Sequence, residues 1–177
     1  MLSIRDILCK DVLAQEIYQC YCRTFPPDER RDEGQFFSLF VNEKVEVLSI
    51  HHKDAIVGYL IIWHLQDFVF LEHFEIFSHF RGQGLGSEVL QLLKNEYRHI
   101  VLESEPDSLS KIAKKRIEFY QRNSFRIIDE NYIQPPYSKD KNALPLFLLA
   151  NFSDADKAVI KENIYTVVYN QDKKSLT

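Results

Sequence analysis

The spacing of apolar and polar residues in the first half of the chain predicts two helices followed by a sheet. Apolar positions close to one helical face predict a helix over Val12 to Thr24, capped by Asp11 and ended by Pro26-Pro27. Gln35 to Phe40 has the pattern of a short second helix. Three further runs predict strands at Val45 to His51, at Ala55 to Leu65, and from Phe68 onward. Their connections are too short for a crossover, so we expect an antiparallel meander.

The region after the meander predicts a parallel crossover. A helical pattern runs from about Leu85 to Tyr97, and an apolar strand begins at Ile100. A strand, helix and strand of this length suit a right-handed crossover between parallel strands. The strands from Phe68 and Ile100 would then form a cleft, with the connecting turn at their carboxyl ends, where open α/β sheets bind ligands.

The last third of the chain predicts two more helices and two more strands. They are a helix from Ser108 or Ser110 to Asn123-Ser124, a strand at Phe125 to Ile128, a strand at Leu144 to Ala150, and a helix from an Asp154 cap to Tyr169. We expect a polar loop over Asn131 to Asn142 and a frayed tail over Gln171 to Thr177. The predicted fold class is α/β (α+β), with a mixed sheet of six or seven strands and about four flanking helices in a single domain over residues 1–177.

Composition excludes several classes of protein. With 45% hydrophobic and 13% aromatic residues, the chain can bury a sizeable core, which argues against disorder. A net charge of −4 gives no electrostatic reason to bind nucleic acid or a membrane surface, and no apolar run approaches the roughly 18 residues of a membrane-spanning helix. The N-terminus lacks the pattern of a signal peptide, and three sparse cysteines favour free thiols in a reducing cytoplasm. A homodimer is compatible with this composition.

The most informative stretch is the turn between the third predicted strand and the helix that follows it. Its residues are Arg81-Gly82-Gln83-Gly84-Leu85-Gly86, which hold three of the five glycines of the chain. Glycine permits positive φ, and a turn at a helix N-terminus presents free N–H groups that suit a phosphate. The spacing is neither that of a dinucleotide fingerprint nor that of a P-loop. A purely structural turn with tight helix–strand packing is the competing interpretation.

Several motifs together resemble the GCN5-related N-acetyltransferase (GNAT) family. The glycine turn fits the family pattern Q/R-x-x-G-x-G/A, and the resemblance extends in order and spacing over about residues 11 to 150. The other matching segments are Phe25-Pro26-Pro27-Asp28-Glu29-Arg30, Leu71 to Ile76, Arg116 to Tyr120 followed by Phe125, and Tyr132-x-Gln134-Pro135-Pro136-Tyr137. Two positions depart from the pattern, because Ala113 stands where many members have Asn and Ser124 where a glycine is usual.

The resemblance implies a co-substrate and a set of residues that contact it. It implies acetyl-CoA, with the pyrophosphate held by backbone amides of Arg81, Gly82, Gln83, Gly84, Leu85, Gly86 and Ser87. It also implies that a backbone N–H of the strand Phe74, Glu75 and Ile76 meets the developing oxyanion. The Tyr120 hydroxyl is implied to protonate the leaving thiolate, and the alternative is that Tyr120 packs in the core beside Phe119.

An amine that attacks a thioester must be neutral, so the site needs a group that accepts a proton. A lysine-like ammonium has a pKa near 10.4, and exposing its lone pair at pH 7 costs about 4–5 kcal/mol. Glu72 is the candidate base, because it lies on the strand just before the glycine turn. In a regular strand it shares a face with Phe70 and Phe74, so either a bulge re-aims it or it borders an apolar cleft that raises its pKa. His73 is an alternative base, and a merely solvated Glu72 is the other interpretation.

Acidic and aromatic residues elsewhere are candidates for binding the acceptor amine. Glu103 and Glu105 fall two apart, so they point to one face of the strand from Ile100 and could hold a cation. Tyr137 lies in the loop that we expect to border the acceptor. The six histidines are scattered and the cysteines lack further ligands nearby, so we expect no metal site.

These observations lead us to expect an acetyl-CoA-dependent N-acetyltransferase. It would move acetyl to a primary amine, on a small molecule or a peptide, by direct attack in a ternary complex. The alternative is a protein that binds an acyl-CoA as a sensor or interaction module without turnover, and Ala113 keeps that alternative open.

Overall fold

The described chain consists of seven strands and five helices, and the computed structural model describes residues 1–9, 11–154 and 156–171. The strands are β1 (Leu2–Asp6), β2 (Val45–His52), β3 (Ala55–His64), β4 (Val69–Ile76), β5 (Ile100–Ser104), β6 (Arg126–Gln134) and β7 (Leu144–Ala150). The helices are α1 (Val12–Thr24), α2 (Glu33–Ser38), α3 (Leu85–Glu96), α4 (Lys111–Arg122) and α5 (Lys157–Asn163). The strands form one mixed sheet in the order β1-β2-β3-β4-β5-β7-β6, which confirms the predicted fold class.

The first strand is the one that the sequence pattern did not indicate. β1 pairs antiparallel with β2, with Ile4 opposite Ile50, and lies at the edge of the sheet. Its second half, Arg5 and Asp6, is exposed. Charged residues on a short edge strand discourage pairing with other chains, and they also hide the alternating pattern that marks an interior strand.

The helix ends differ from prediction where a neighbouring acidic residue supplies the cap. Asp32 and Gln35 form a capping box, so α2 begins before the predicted Gln35. Asp156 rather than Asp154 caps α5, and its side chain accepts from the N–H groups of Ala158 and Val159. The predicted side-chain cap of Asp11 on α1 is wrong, because Asp11 Oδ2 instead accepts from the N–H of Leu8.

The predicted polar loop over Asn131 to Asn142 is also wrong at its start. β6 continues to Gln134 and pairs antiparallel with β7, with Tyr132 opposite Leu146. The register of this pairing shifts on either side of Asp129. These shifts accommodate the polar residues of β6, and Tyr132 and Gln134 are still buried. The polar composition of this segment therefore concealed a strand.

The structure divides into two compact units. The first unit comprises Met1–His64 and Leu71–Glu96, and Tyr21 and Phe36 are fully buried in its core. The second unit comprises Leu65–Phe70 and Tyr97–Thr177, as far as the latter is described. The expectation that the whole chain acts as one domain stays a prediction.

A glycine on β3 lets β4 approach closely at the point where the candidate site begins. A Cβ atom on Gly58 would lie 2.0 Å from the carbonyl oxygen of Glu75, which is far inside van der Waals contact. The obstacle is backbone, so no side-chain movement can relieve it. Gly58 therefore fixes how β4 lies beside β3 at Glu75.

We predict that Gly58→Ala destabilises the protein by at least about 2 kcal/mol, because the two backbones must separate to admit the methyl group. Gly34→Ala is the matched control. Its Cβ would meet only Asp32 Oδ1 at 3.6 Å, and alanine favours the helix, so its stability should stay equal or rise by up to about 1 kcal/mol. Urea unfolding of both variants measures the difference, and equal stabilities would contradict this account of Gly58.

Candidate active site

The glycine turn between β4 and α3 has the backbone shape that a phosphate site needs. A short 3₁₀ turn at Ser78–Phe80 leads into it, and Gly82 and Gly84 take φ values of 77° and 82°. Nothing lies within 4 Å of where a Cβ would sit on either residue, so the space beside the backbone is open. α3 begins at the next residue, Leu85, and the first N–H groups of a helix have no acceptor within it. The turn thus presents open main-chain donors at the positive end of a helix.

Arg81 ties the start of this turn to the end of β4. Its Nε–H donates to the carbonyl of Ile76 at 2.7 Å, and Nη2 lies 3.5 Å from Glu75 Oε1. The side chain is still 56% exposed, so its charge also faces solvent beside the turn. Arg81 therefore stabilises the turn through these contacts and also places a positive charge next to it.

Glu72 is held in a buried ion pair. Nε and Nη2 of Arg31 lie 3.0 Å and 2.9 Å from Glu72 Oε1, and the indole N–H of Trp63 donates to Oε2 at 2.6 Å. The carboxylate has no accessible surface. The surroundings are therefore not the apolar cleft edge, which was one of the two alternatives for Glu72, and both oxygens accept hydrogen bonds within the core. This geometry disfavours Glu72 as the base.

His73 extends the same buried network to α1. The Tyr21 hydroxyl accepts the N–H of Arg31 at 2.7 Å and lies 3.1 Å from His73 Nε2. His73 Nε2 is also 3.8 Å from Glu72 Oε1, although neighbouring residues of a regular strand point to opposite faces. The Glu72 side chain is therefore turned towards the face that holds His73. Burial lowers the pKa of His73 to about 4, against the smaller effect of the Glu72 charge, and the Arg31 charge lowers it further.

Glu75 is the acidic side chain that the sequence analysis overlooked, since it counted this residue only for its backbone. Glu75 Oε1 accepts from the Thr24 hydroxyl at 2.7 Å, and the residue is 6% exposed. Its Oε2 atom is buried. Burial, the Glu75 charge and a hydrogen bond to Glu75 raise the pKa of Tyr59 well above its ordinary value, so the Tyr59 phenol stays protonated beside this carboxylate. Glu75 shares the strand face of His73, which contacts α1, and that parity was a usable signal in the sequence.

In the second unit, the two glutamates expected to bind a cation already have partners. Glu103 accepts hydrogen bonds from the hydroxyls of Tyr132 and Tyr169, the latter at 2.8 Å. Glu105 pairs with Arg116 Nη1 at 2.7 Å. Neighbouring donors therefore already pair with Glu103 and Glu105, which does not favour them as open cation ligands. Their role in binding the acceptor stays a prediction.

The aromatic candidates of the second unit are largely buried. The Tyr137 ring packs 5.2 Å from Tyr169, and the Lys141 ammonium lies 5.7 Å above the Tyr137 ring. Tyr120 is also buried, with its ring 5.2 Å from that of Phe119. Burial raises the pKa of Tyr120 to about 12, which the Arg116 charge partly opposes. Tyr120 therefore keeps its proton at neutral pH.

Two kinds of feature are absent from the described residues. No helix among them is long and apolar enough to cross a membrane. Within the same residues, no group of three or more His, Cys, Asp or Glu side chains has an arrangement that could hold a metal ion. Cys9, Cys20 and Cys22 are free thiols, as predicted.

Comparison with known proteins identifies the class to which this fold and turn belong. Residues 13–125 match the model of the Acetyltransferase (GNAT) family. Because that match covers more than half of the sequence, the chain belongs to the GNAT acetyltransferases.

Individual relatives agree with this assignment. "Putative acetyltransferase YjbC" of Bacillus subtilis (strain 168) is 29% identical over 111 residues, which are 62% of this chain and 56% of that protein. The match thus spans just over half the length of this curated relative. A structure titled "Putative acetyltransferase from GNAT family from Bacteroides thetaiotaomicron" is 28% identical, with a TM-score of 0.87 over 96% of this chain and 99% of that one. Arabidopsis thaliana NAA60, solved in complex with acetyl-CoA, shares the fold at 14% identity and a TM-score of 0.60, over 88% of this chain and 100% of its own.

We predict that His73 makes stability depend on pH. Its pKa in the folded protein lies below the ordinary value of 6.5, so the unfolded chain takes up the proton first as the pH falls. The contribution of neutral His73 is complete above about pH 6.5 and is lost between about pH 6.5 and 4, on the order of 3 kcal/mol in all. His73→Gln keeps a neutral polar group and should flatten the free energy of unfolding against pH over this range. Urea unfolding from pH 4 to 7 measures both curves, and parallel curves would contradict the prediction.

Proposed function

We propose that this protein transfers the acetyl group of acetyl-CoA to a primary amine by direct attack in a ternary complex. The observation that carries the proposal is the glycine turn, with positive φ at Gly82 and Gly84, open space beside both, and the N-terminus of α3 directly after them. Membership of the GNAT family supports the reaction class, and NAA60, which shares the fold, was solved with acetyl-CoA. The acceptor as a small molecule or a peptide, a homodimer and a cytoplasmic location stay predictions.

The residues of the turn fit the pyrophosphate of coenzyme A. Main-chain N–H groups from Gly82 to Gly86 would hold it without any side-chain charge, and the positive end of α3 favours an anion there. The Ser87 N–H already donates to the Gly84 carbonyl at 3.0 Å, and a contact of Ser87 with the cofactor stays a prediction. Arg81 adds an exposed positive charge at the same place. Phe74 to Ile76, at the end of β4, would offer a backbone N–H to the thioester oxygen. Acetyl-CoA itself supplies an acetyl group that is already activated as a thioester.

The reaction needs one proton acceptor and one proton donor. The amine nitrogen bonds to the carbonyl carbon and the carbon–sulfur bond breaks, while a proton leaves the nitrogen and another joins the sulfur. Glu75, or a water beside it, is the better base, because both oxygens of Glu72 are held by Arg31 and Trp63 and Glu75 lies closer to the glycine turn, next to Arg81. Tyr120 is our proton donor, since its phenol is protonated at neutral pH.

Release of the coenzyme A thiol from acetyl-CoA, measured with a thiol-reactive dye across a panel of primary amines, tests the proposal. We expect release that depends on the amine. Tyr120→Phe should lower kcat by about 10²-fold and leave KM for acetyl-CoA unchanged, because it removes only a proton donor. Gly84→Glu places a carboxylate at the phosphate position and a non-glycine residue at positive φ, so coenzyme A binding should fall at least about tenfold.

Gln91→Glu is the matched control for Gly84→Glu. It adds the same charge at an exposed position of α3, the helix that follows the turn, and it should leave coenzyme A binding unchanged. Binding of coenzyme A with no thiol release from any amine would contradict the enzyme and favour the sensor. If coenzyme A also failed to raise the melting temperature of the wild-type protein, the co-substrate assignment itself would be wrong.

A further inference from the structure

A cavity of about 750 Å³ in the first unit has one wall formed by α1 and another formed by β3 and the end of β4. Its volume falls within the range of small-molecule sites. The apolar part of its lining consists of Leu13 and Ile17 on α1, Ile56 on β3 and Phe77 after β4. A ligand with a short hydrocarbon part therefore finds matching surface here.

Glu75, the buried acid of this cavity, already has its charge compensated within the protein. Its Oε1 accepts from the Thr24 hydroxyl at 2.7 Å and lies 3.5 Å from Arg81 Nη2. The Tyr59 phenol makes a further hydrogen bond to the same carboxylate. A ligand therefore does not need to bring a positive charge to Glu75.

Arg23 is a cation of the cavity whose charge is not compensated in this way. Its Nη2 donates to Cys20 Sγ at 3.1 Å, and because both residues line the cavity, the guanidinium lies along the wall that α1 forms. No ion pair joins Arg23 to a carboxylate among the described residues. The side chain is exposed, and a guanidinium carries five N–H donors, so most of its donors are open to a ligand.

The exposed charges along α1 give the cavity a positive end and a negative end. Glu16 and Arg23 both line it, and seven residues, which are two helical turns or about 10 Å, separate them. Thr24, the residue after Arg23, bonds to Glu75 on β4, so Arg23 marks the end beside β4. The pair of Glu75 and Arg81 is neutral overall. Arg23 therefore gives this end its net positive charge, and Glu16 repels an anion from the other end.

A carboxylate matches the positive end of the cavity better than a second ammonium group does. A guanidinium binds a carboxylate through two parallel N–H···O bonds, which fix its orientation as well as its charge. An ammonium group placed there would instead lie beside a like charge, which is unfavourable. The surroundings of Arg23 thus distinguish ligands by the charge of one group.

Resting on the proposed acetyl transfer, we propose that this cavity binds the acceptor, and that the acceptor is a primary amine that also carries a carboxylate. Arg23 binds the carboxylate, and the hydrocarbon part that joins the two groups lies against Ile17 and Phe77. Arg23 thereby determines the specificity for the acceptor, and amines with a second positive charge are disfavoured.

Three amines of similar length separate these contributions by NMR titration in the absence of coenzyme A. They are 6-aminohexanoate, 6-aminohexanamide and hexane-1,6-diamine, whose far ends are negative, neutral and positive. We expect the carboxylate to bind at least about fivefold more tightly than the amide, and the diamine to bind more weakly than either.

Substitutions of Arg23 test whether this residue is the cause of the preference. Arg23→Gln should make the carboxylate and the amide bind equally, whereas Arg23→Lys keeps the charge and should retain part of the preference. Lys44→Gln is the control, because it removes an exposed positive charge outside the cavity and should leave the preference unchanged.

Equal binding of 6-aminohexanoate and 6-aminohexanamide to the wild-type protein would overturn the inference, and that comparison needs no variant to fold. A preference that survives in folded Arg23→Gln would overturn it as well. Thiol release from acetyl-CoA, assayed in parallel, distinguishes this inference from the reaction. If the wild-type protein acetylates the carboxylate and the amide with the same KM, the acceptor assignment fails and the acetyltransferase stands. If it prefers the carboxylate in binding but releases no thiol with any amine, the acetyltransferase fails and the carboxylate site stands.

Discussion

The buried ion pair of Glu72 and Arg31 fixes the strand on which the candidate site is built. Removing two charges from water costs several kcal/mol for each ion, and good geometry with filled hydrogen bonds is needed to offset it. Here both Glu72 oxygens accept from Arg31 or Trp63, and the Arg31 guanidinium lies 5.2 Å above the Trp63 ring. Tyr21 then links this pair and His73 to α1. β3, β4, α1 and the segment at Arg31 are thereby held together around one charge.

The hydrogen bonds of the acidic residues separate those that stabilise the fold from one that lies beside the candidate site. Both oxygens of Glu72 accept hydrogen bonds from Arg31 or Trp63, and both oxygens of Glu103 accept hydrogen bonds from tyrosine hydroxyls. Glu75 comes three residues after Glu72 on the same fixed strand, directly before the turn that Arg81 braces. A buried carboxylate is therefore held in place next to the glycine turn, which is what positioned acid–base chemistry requires.

Local features such as turns and helix caps could be predicted from the sequence, whereas contacts between residues far apart in the sequence could not. Positive φ at Gly82 and Gly84 was predictable because glycine tolerates that conformation. Ser110 was one of two predicted caps, because a cap accepts a hydrogen bond from an N–H only two or three residues ahead. The role of Glu72 could not be predicted, because its partner Arg31 lies 41 positions away in the sequence. The spacing of apolar residues does not indicate which distant cation pairs with a carboxylate. The same holds for Glu103 with Tyr169, 66 positions apart. The polar residues in the second half of β6 led to the prediction of a loop. Their burial depends on register shifts against β7, which the sequence pattern does not show.

The claim on which the rest depends is that the main chain of the glycine turn holds coenzyme A. A titration of ¹⁵N-labelled protein with coenzyme A, followed by amide chemical shifts, tests it most directly. We predict that the amides of residues 82–86 show the largest shifts, because their N–H groups bind the phosphates. Saturation with coenzyme A that leaves these amides unmoved, or that shifts others most, would contradict the account.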